Sequence, residues 1–408
     1  MKILLLVLLP LAVCASELSS AAALMQPRGF RAIINSTGLT EGMFRIGVKY
    51  EPIFPFANCG AWDPIREEML FVGAPHQHPW EYSMPIYSAS TNSWRSANLS
   101  PYLYPWGQFN THAYDNISIN PKTGDFFFYA GKFIKYRADT DSWTEIQAVN
   151  QGVFQANING TTYAYNGLKY FPDINSLVYY NYGRVMILSL DSLKWRVLTT
   201  SLPMGDIEQE GAYDPVDHVL YFGGGGSLPR KLYKMDAALN ITPIADAPRD
   251  VVVSTSLMAC DPVTGALLLV KADSIFAYDY GTDKWSGAAK IPTSTFDPQC
   301  AAIIPVSTYG VIAFWTTCQY PILLYKHANP TATESAPQNI SRRSGPLFRA
   351  AVYNCAGKKV RAFPGDIPAS VRWDGRDSFG RVAPAGIYVM ELKNEKGERF
   401  WEKTPLLK

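Results

Sequence analysis

The stretch YDPVDHVLYFGGGG, residues 213–226, reads as a strand end, a turn opened by Asp214-Pro215, and an apolar strand that stops in four glycines. The same device recurs along the chain. Trp62-Asp63-Pro64, Ile119-Asn120-Pro121, Tyr170-Phe171-Pro172, Cys260-Asp261-Pro262 and Ile303-Ile304-Pro305 each lead into an apolar run. Those runs are EMLFVGA (68–74), DFFFYAG (125–131), SLVYYNYG (176–183), ALLLVKA (266–272) and GVIAFWTT (310–317). The prolines are 57, 51, 43, 47 and 43 residues apart, a period of one supersecondary unit. A third strand follows in each unit, and four units then turn into a tryptophan: Trp94, Trp143, Trp195 and Trp285.

Each unit is expected to be a four-stranded antiparallel sheet. Its second strand is apolar on both faces and so must be covered on both. A lone sheet cannot supply that cover, whereas sheets packed face to face around an axis can. The tryptophans are expected to wedge between neighbouring sheets. The pattern resembles the kelch repeat: a strand, an apolar strand ending in glycines, a tyrosine-bearing strand, then Trp. Unit four carries the full glycine run, Gly223 to Gly226, but lacks the Trp, and the other copies are degenerate. The expected fold is all-β: a kelch-like β-propeller over residues 57–330, with six blades, or seven if residues 30–56 supply another.

A ring needs a closing device, because open sheet edges invite wrong pairing. Unit six shows no fourth strand of its own. The strand-like stretch Met43 to Ile53, within the N-terminal segment 16–56, is expected to complete it. Cys59 and Cys300 each lie five residues before a proline, in units that a closed six-blade ring makes neighbours. They are a candidate disulfide staple; two buried free thiols are the alternative.

Residues 1–15 have a basic start and an apolar run of about eleven residues, the pattern of a secretory signal peptide cleaved near Ala15. That run falls short of the roughly 20 residues that span a bilayer, and no other is long enough. Export makes Asn35, Asn98, Asn116, Asn159, Asn240 and Asn339 glycosylation sequons if a eukaryote secretes the chain. Residues 331–345 are polar and read as a linker. Residues 346–408 return to strand patterns and are expected to form a small β-sandwich. Within them Val371-Arg372-Trp373-Asp374-Gly375, then Ala385-Gly386-Ile387-Tyr388, resembles the FlgD-type immunoglobulin-like domain and the related C-terminal sorting domains of type IX secretion. That resemblance implies a stalk, an anchor or an export signal, with secretion or cell-envelope machinery as its partner.

The net charge of +2 excludes a nucleic-acid binder driven by bulk charge. No nucleophile elbow, zinc-protease helix or phosphate loop is present, so no cofactor, metal or catalytic residue is assigned. Candidate ligand residues lie on loops of the propeller. In unit one an inserted loop carries His76, His78, Trp80 and Glu81; prolines flank the histidines and no third metal ligand is identifiable. The loop to unit two carries Tyr102, Tyr104, Trp106, Gln108, Asn110 and His112, a mixture of rings and amides suited to sugars, or else a local core under the loop. Asp206, Glu208, Glu210, Arg230 and Arg249 complete the set, with a solvated edge as the alternative. The expected function is an exported or cell-surface binding module for a glycan or protein. A secreted carbohydrate-active enzyme using His112, Glu208 or Arg230, and a structural adhesion protein, are the alternatives.

Overall fold

The computed structural model describes residues 16–46, 51–74, 82–99, 112–129, 131–157, 166–292, 296–316 and 321–328, with 347–354, 358–363, 367–368, 381, 383, 386–394 and 399–406 beyond them. The chain divides into two units, Met1–Pro330 and Thr331–Lys408.

The first unit holds six four-stranded antiparallel sheets among the described residues, and it is an all-β propeller. Blade 1 is Ala61–Asp63, Glu68–Leu70, Pro85–Ser88 and Ser93–Ser96; blade 2 is Ile117–Asn120, Asp125–Tyr129, Phe133–Arg137 and Ser142–Glu145. Blade 3 is Gly167–Phe171, Ser176–Asn181, Arg184–Ser189 and Lys194–Thr199; blade 4 is Glu210–Asp214, Val219–Gly223, Leu232–Met235 and Ile241–Pro243. Blade 5 is Ser256–Cys260, Leu267–Lys271, Ser274–Asp279 and Lys284–Lys290, and blade 6 begins with Ala301–Val306, Val311–Thr316 and Ile322–Tyr325. The first strand of every blade neighbours the first strands of the blades before and after it, so the six form a closed inner ring.

The repeated proline sits in the turn from first to second strand. Pro presets the φ of a type I turn, and the acidic or amide residue before it caps that turn from its side chain. Asp63 Oδ1 accepts from Ile65 N–H at 2.9 Å, Asn120 Oδ1 from Lys122 N–H at 2.9 Å, Asp214 Oδ1 from Val216 N–H at 2.8 Å and Asp261 Oδ2 from Thr264 N–H at 2.9 Å. Three residues after the proline the backbone is left-handed at Glu67, Gly124, Asn175, His218 and Gly265. At Gly265 the space is closed as well: a Cβ there would lie 2.3 Å from Asp214 Oδ1 of the preceding blade.

The tryptophans do pack between blades, and each bonds backward. Trp143 of blade 2 donates its indole N–H to the Asn98 carbonyl, which follows the outer strand of blade 1, at 2.8 Å. Trp195 of blade 3 reaches Gln151 Oε1 at 3.3 Å, and Trp285 of blade 5 reaches the Ala245 carbonyl at 3.1 Å. Trp94 of blade 1 makes the equivalent bond to Ser36 Oγ at 3.0 Å, so the segment around Ser36 occupies the place of the chain leaving blade 6.

Phe30–Ile33 is that blade's outermost strand, paired with Ile322–Tyr325 in the register Phe30↔Tyr325 to Ile33↔Ile322. The expectation that Met43 to Ile53 would fill this position is corrected. Glu41–Phe44 is a helical turn and Arg45–Ile46 pairs with Glu51–Pro52 in a two-stranded ribbon. The buried Phe44 ring packs 5.2 Å from Trp94 and 6.0 Å from Trp315, so these residues plug the seam between the last and first blades. Among the described residues of 30–56 no seventh blade arises, since 30–33 are spent on the sixth. Ahead of the closing strand, Glu17–Leu24 is a helix capped by Ser16, and it buries Leu18, Ala21 and Ala22.

Among the described residues the second unit is one five-stranded sheet. Lys359–Ala362, Leu347–Asn354, Gly386–Asn394 and Arg399–Leu406 lie in that order, and Ile367–Pro368 pairs with the second of them. The motif from Val371 to Gly375 lies outside the described residues, as do residues 1–15.

Candidate functional site

The six first strands begin in one plane and end at their prolines in another, and what they present to the axis follows from the register. Three residues before each proline stand Ala61, Ser118, Lys169, Ala212, Ala259 and Ala302. Ala61, Ser118, Ala212 and Ala259 of this tier are small and line a cavity of about 210 Å³ on the axis. The walls toward the proline end carry Trp62, Tyr170 and Tyr213, and Pro121, Pro172, Pro215, Pro262 and Pro305 line it there.

The other end of the axis is polar. Six residues before each proline stand Asn58, Asp115, Asn166, Gln209, Ser256 and Gln299. The first five are at most 1 % exposed, so they form a buried layer above the cavity. Lys169, the one long side chain in its tier, reaches into this layer. Its ammonium donates to Asp115 Oδ1 at 2.6 Å, Cys59 Sγ at 3.1 Å, the Ile117 carbonyl at 3.2 Å and the Asp115 carbonyl at 3.4 Å. Tyr180 donates its hydroxyl proton to the other oxygen of Asp115. It gets there between two glycines: a Cβ on Gly167 would fall 2.0 Å from the Tyr180 ring, and one on Gly211 would fall 2.2 Å from its hydroxyl.

Burial dominates the electrostatics. Burial is the largest single influence on Lys169 and would lower it, but the adjacent Asp115 carboxylate and Cys59 together hold the ammonium above its ordinary pKa. Burial raises Asp115, with Lys169 and Tyr180 pulling the other way. Burial pushes the Cys59 thiol up to about 12, which keeps it protonated. Burial raises Glu210 to about 8 even though the Ser256 hydroxyl donates to its Oε1. The layer thus holds one matched ion pair and a neutral carboxyl, and among the described residues it also holds unpartnered amide oxygens on Asn58, Asn166 and Gln209.

At the proline end the polar groups tie blades together. Tyr213 donates to Asp173 Oδ2 at 2.7 Å, and His218 Nδ1 lies 2.9 Å from Asp173 Oδ1. Trp62 donates its indole N–H to Thr308 Oγ1 at 3.0 Å. Ser118 Oγ accepts from the Tyr170 backbone N–H at 2.7 Å. Chemically the cavity is an apolar, ring-lined well with no uncompensated charge in its wall.

The residues singled out from the sequence are distributed differently. His76, His78, Trp80, Glu81, Tyr104, Trp106 and Gln108 lie outside the described residues. His112 is buried, its ring 4.6 Å from Phe56 and 5.6 Å from Tyr114, so it packs as core. Glu208 accepts from Ser254 N–H at 3.2 Å, and Arg230 donates to the Ala247 carbonyl; both staple loops, and neither lines the axial cavity. The Cys59–Cys300 disulfide is corrected: Cys59 is a free thiol. The inner strands pair Cys59 with Ile303, three residues beyond Cys300. Among the described residues no group of three or more His, Cys, Asp and Glu side chains is arranged to hold a metal ion, and no helix is long and apolar enough to cross a membrane.

Sequence reasoning missed Asp115, Lys169 and Tyr180. A signal for Lys169 existed: counted back from its proline, it is a lysine where five units have Ala or Ser. Tyr180 carried none, because a tyrosine in an apolar strand reads as core.

No known family model matches the chain, and no curated protein does. Among solved structures, it is similar to a chain of the mitotic checkpoint complex at 11% identity and a TM-score of 0.45, covering 74% of this chain and 92% of that one. A chain of a nidogen/laminin complex gives 9% identity and a TM-score of 0.40, over 68% of this chain and 87% of that one. PorZ, a bacterial surface component of the type-IX secretion system of Porphyromonas gingivalis, gives 9% identity and a TM-score of 0.41, over 89% of this chain and 61% of that one.

Proposed function

We propose that the chain is an exported binding module whose propeller receives a group of its ligand in the axial cavity, while the C-terminal unit anchors or sorts it. The observation that carries this is the cavity itself: about 210 Å³ of space, apolar in its walls, at the one place where all six blades meet. Binding is favoured over catalysis because the charged groups nearest the cavity are already committed. The Lys169 protons are taken up by Asp115, Cys59 and backbone carbonyls, and the Asp115 carboxylate is bonded to Lys169 and Tyr180. A general acid or base needs a proton in reach of a substrate.

The test is a screen of glycans and of proteins from the source's surroundings for binding and for turnover, run beside Ala259→Phe. This substitution fills the cavity from its wall without touching the ion pair. Binding lost in a variant that keeps its circular dichroism and melting temperature supports the reading. Turnover of any substrate, or binding indifferent to Ala259→Phe, overturns it.

A further inference from the structure

The shape and chemistry of the cavity narrow what it accepts. An apolar cavity of roughly 150 Å³ holds one benzene ring, and drug-sized ligands need roughly 300 Å³ or more. At about 210 Å³ the axial cavity has room for a single substituted ring, and its open mouth leaves whatever the ring is attached to outside. Its walls are themselves rings, Trp62, Tyr170 and Tyr213 with the five prolines, and aromatic groups stack or meet edge to face on such surfaces. A charged ligand is disfavoured, because no wall group offers a free counter-charge: the Lys169 ammonium is spent on Asp115.

Two serines line the cavity, Ser307 exposed to solvent and Ser118 half-buried among the apolar groups. Ser118 lines the cavity, and its Oγ accepts from Tyr170 N–H, yet among the described residues its own proton has no acceptor. A hydroxyl proton left unused in an apolar wall is a donor waiting for a ligand oxygen or nitrogen. We infer that the axial cavity takes one neutral aromatic ring bearing a hydrogen-bond acceptor, which Ser118 recognises. This rests on the cavity being the binding site. The ring comes either as a free small molecule or as the side chain of a protein partner.

The experiment uses the mature full chain, titrated with p-cresol, toluene, benzoate and the peptide N-acetyl-Gly-Tyr-Gly-amide, followed by ligand-observed NMR and by tryptophan fluorescence. The expected result is saturable p-cresol binding with a Kd on the order of 1 mM or tighter. Toluene should bind roughly threefold to tenfold more weakly, as one hydrogen bond dictates. Ser118→Ala should erase that difference while leaving toluene unchanged, and Ala259→Phe should abolish both. Benzoate should fail to compete. A peptide that competes with p-cresol assigns the ring to a protein partner, and one that does not assigns it to a free molecule.

Absence of saturable p-cresol binding, benzoate binding as tightly, or binding unaffected by Ala259→Phe overturns the inference. If a ligand from the wider screen is lost in Ala259→Phe while no ring binds, the cavity remains the site and the ring alone is wrong. If nothing depends on Ala259, both readings fall.

Discussion

The Trp94 indole N–H meets Ser36 Oγ at 3.0 Å across the seam where the last blade joins the first. It is the same backward bond that Trp143 makes to Asn98 and Trp285 makes to Ala245 within the continuous part of the ring. The N-terminal segment therefore substitutes for chain that blade 6 does not have. Trp94→Phe is expected to cost about 1 kcal/mol, the bond alone. Trp94→Ala should cost about 3–5 kcal/mol, since the ring also packs 4.6 Å from Trp315. Urea unfolding followed by tyrosine fluorescence and circular dichroism measures both. Equal losses for the two variants would show that the packing contributes nothing.

The buried pair of Lys169 and Asp115 predicts an asymmetric mutational cycle. Removing either partner strands a charge in a layer that water does not reach. Lys169→Met and Asp115→Asn should each destabilise by about 3–5 kcal/mol. The double variant should lose less than the two singles combined, with a coupling of about 1 kcal/mol or more. Additive losses in denaturant titrations would mean that the two groups do not sense each other.

Glu210 gives the chain a pH dependence of unusual sign. Its carboxyl is held near 8 by burial, against an ordinary value of 4.5. The folded state keeps a proton that the unfolded chain releases, so this group's contribution to stability falls as pH rises from about 4.5 to about 8 and is level outside that window. Glu210→Gln, which still accepts from Ser256, should remove that slope. The variant should gain on the wild type as pH is raised from 5 to 8, a tenfold difference in proton affinity being worth about 1.4 kcal/mol. Parallel stability curves for the two proteins across this range would contradict the assignment.

Gly211 is predicted to tolerate no side chain. A Cβ there would press on the Tyr180 hydroxyl at 2.2 Å and push it off Asp115. Gly211→Ala should cost about 1–3 kcal/mol. Adding Tyr180→Phe should then cost little more, because the bond it removes has already been displaced. A melting-temperature series of the wild type, the two single variants and the double decides this.

The architecture was readable from the sequence because its signals are local. Asp214-Pro215 and its counterparts encode a turn by their own side chains, and Trp143 and Trp285 lie 22 and 23 residues beyond their prolines. Ring closure was half readable. The need for a donated strand follows from blade 6 lacking one, but Phe-Arg-Ala-Ile at 30–33 and the longer Met43 to Ile53 both fit strand chemistry. The choice between them is made by tertiary contacts, with Ser36 reaching Trp94 and Phe44 filling the seam. The Cys59–Cys300 pairing failed for a related reason. Equal spacing from a proline puts residues in the same tier, while the stagger of adjacent inner strands sets Cys59 against Ile303. The axial cluster was hidden because Asp115, Lys169 and Tyr180 come from different strands, and their encounter depends on the empty space at Gly167 and Gly211.

Because Phe30–Ile33 pairs with Ile322–Tyr325, the wheel has a fixed last step. Blades 1 to 5 can each form from neighbouring hairpins as they are made, but the sixth must wait until nearly all of the first unit exists, and bringing such distant segments together is slow. Through that interval four residues remain an unclaimed edge, and Arg31 is the one charge on them to discourage a wrong neighbour.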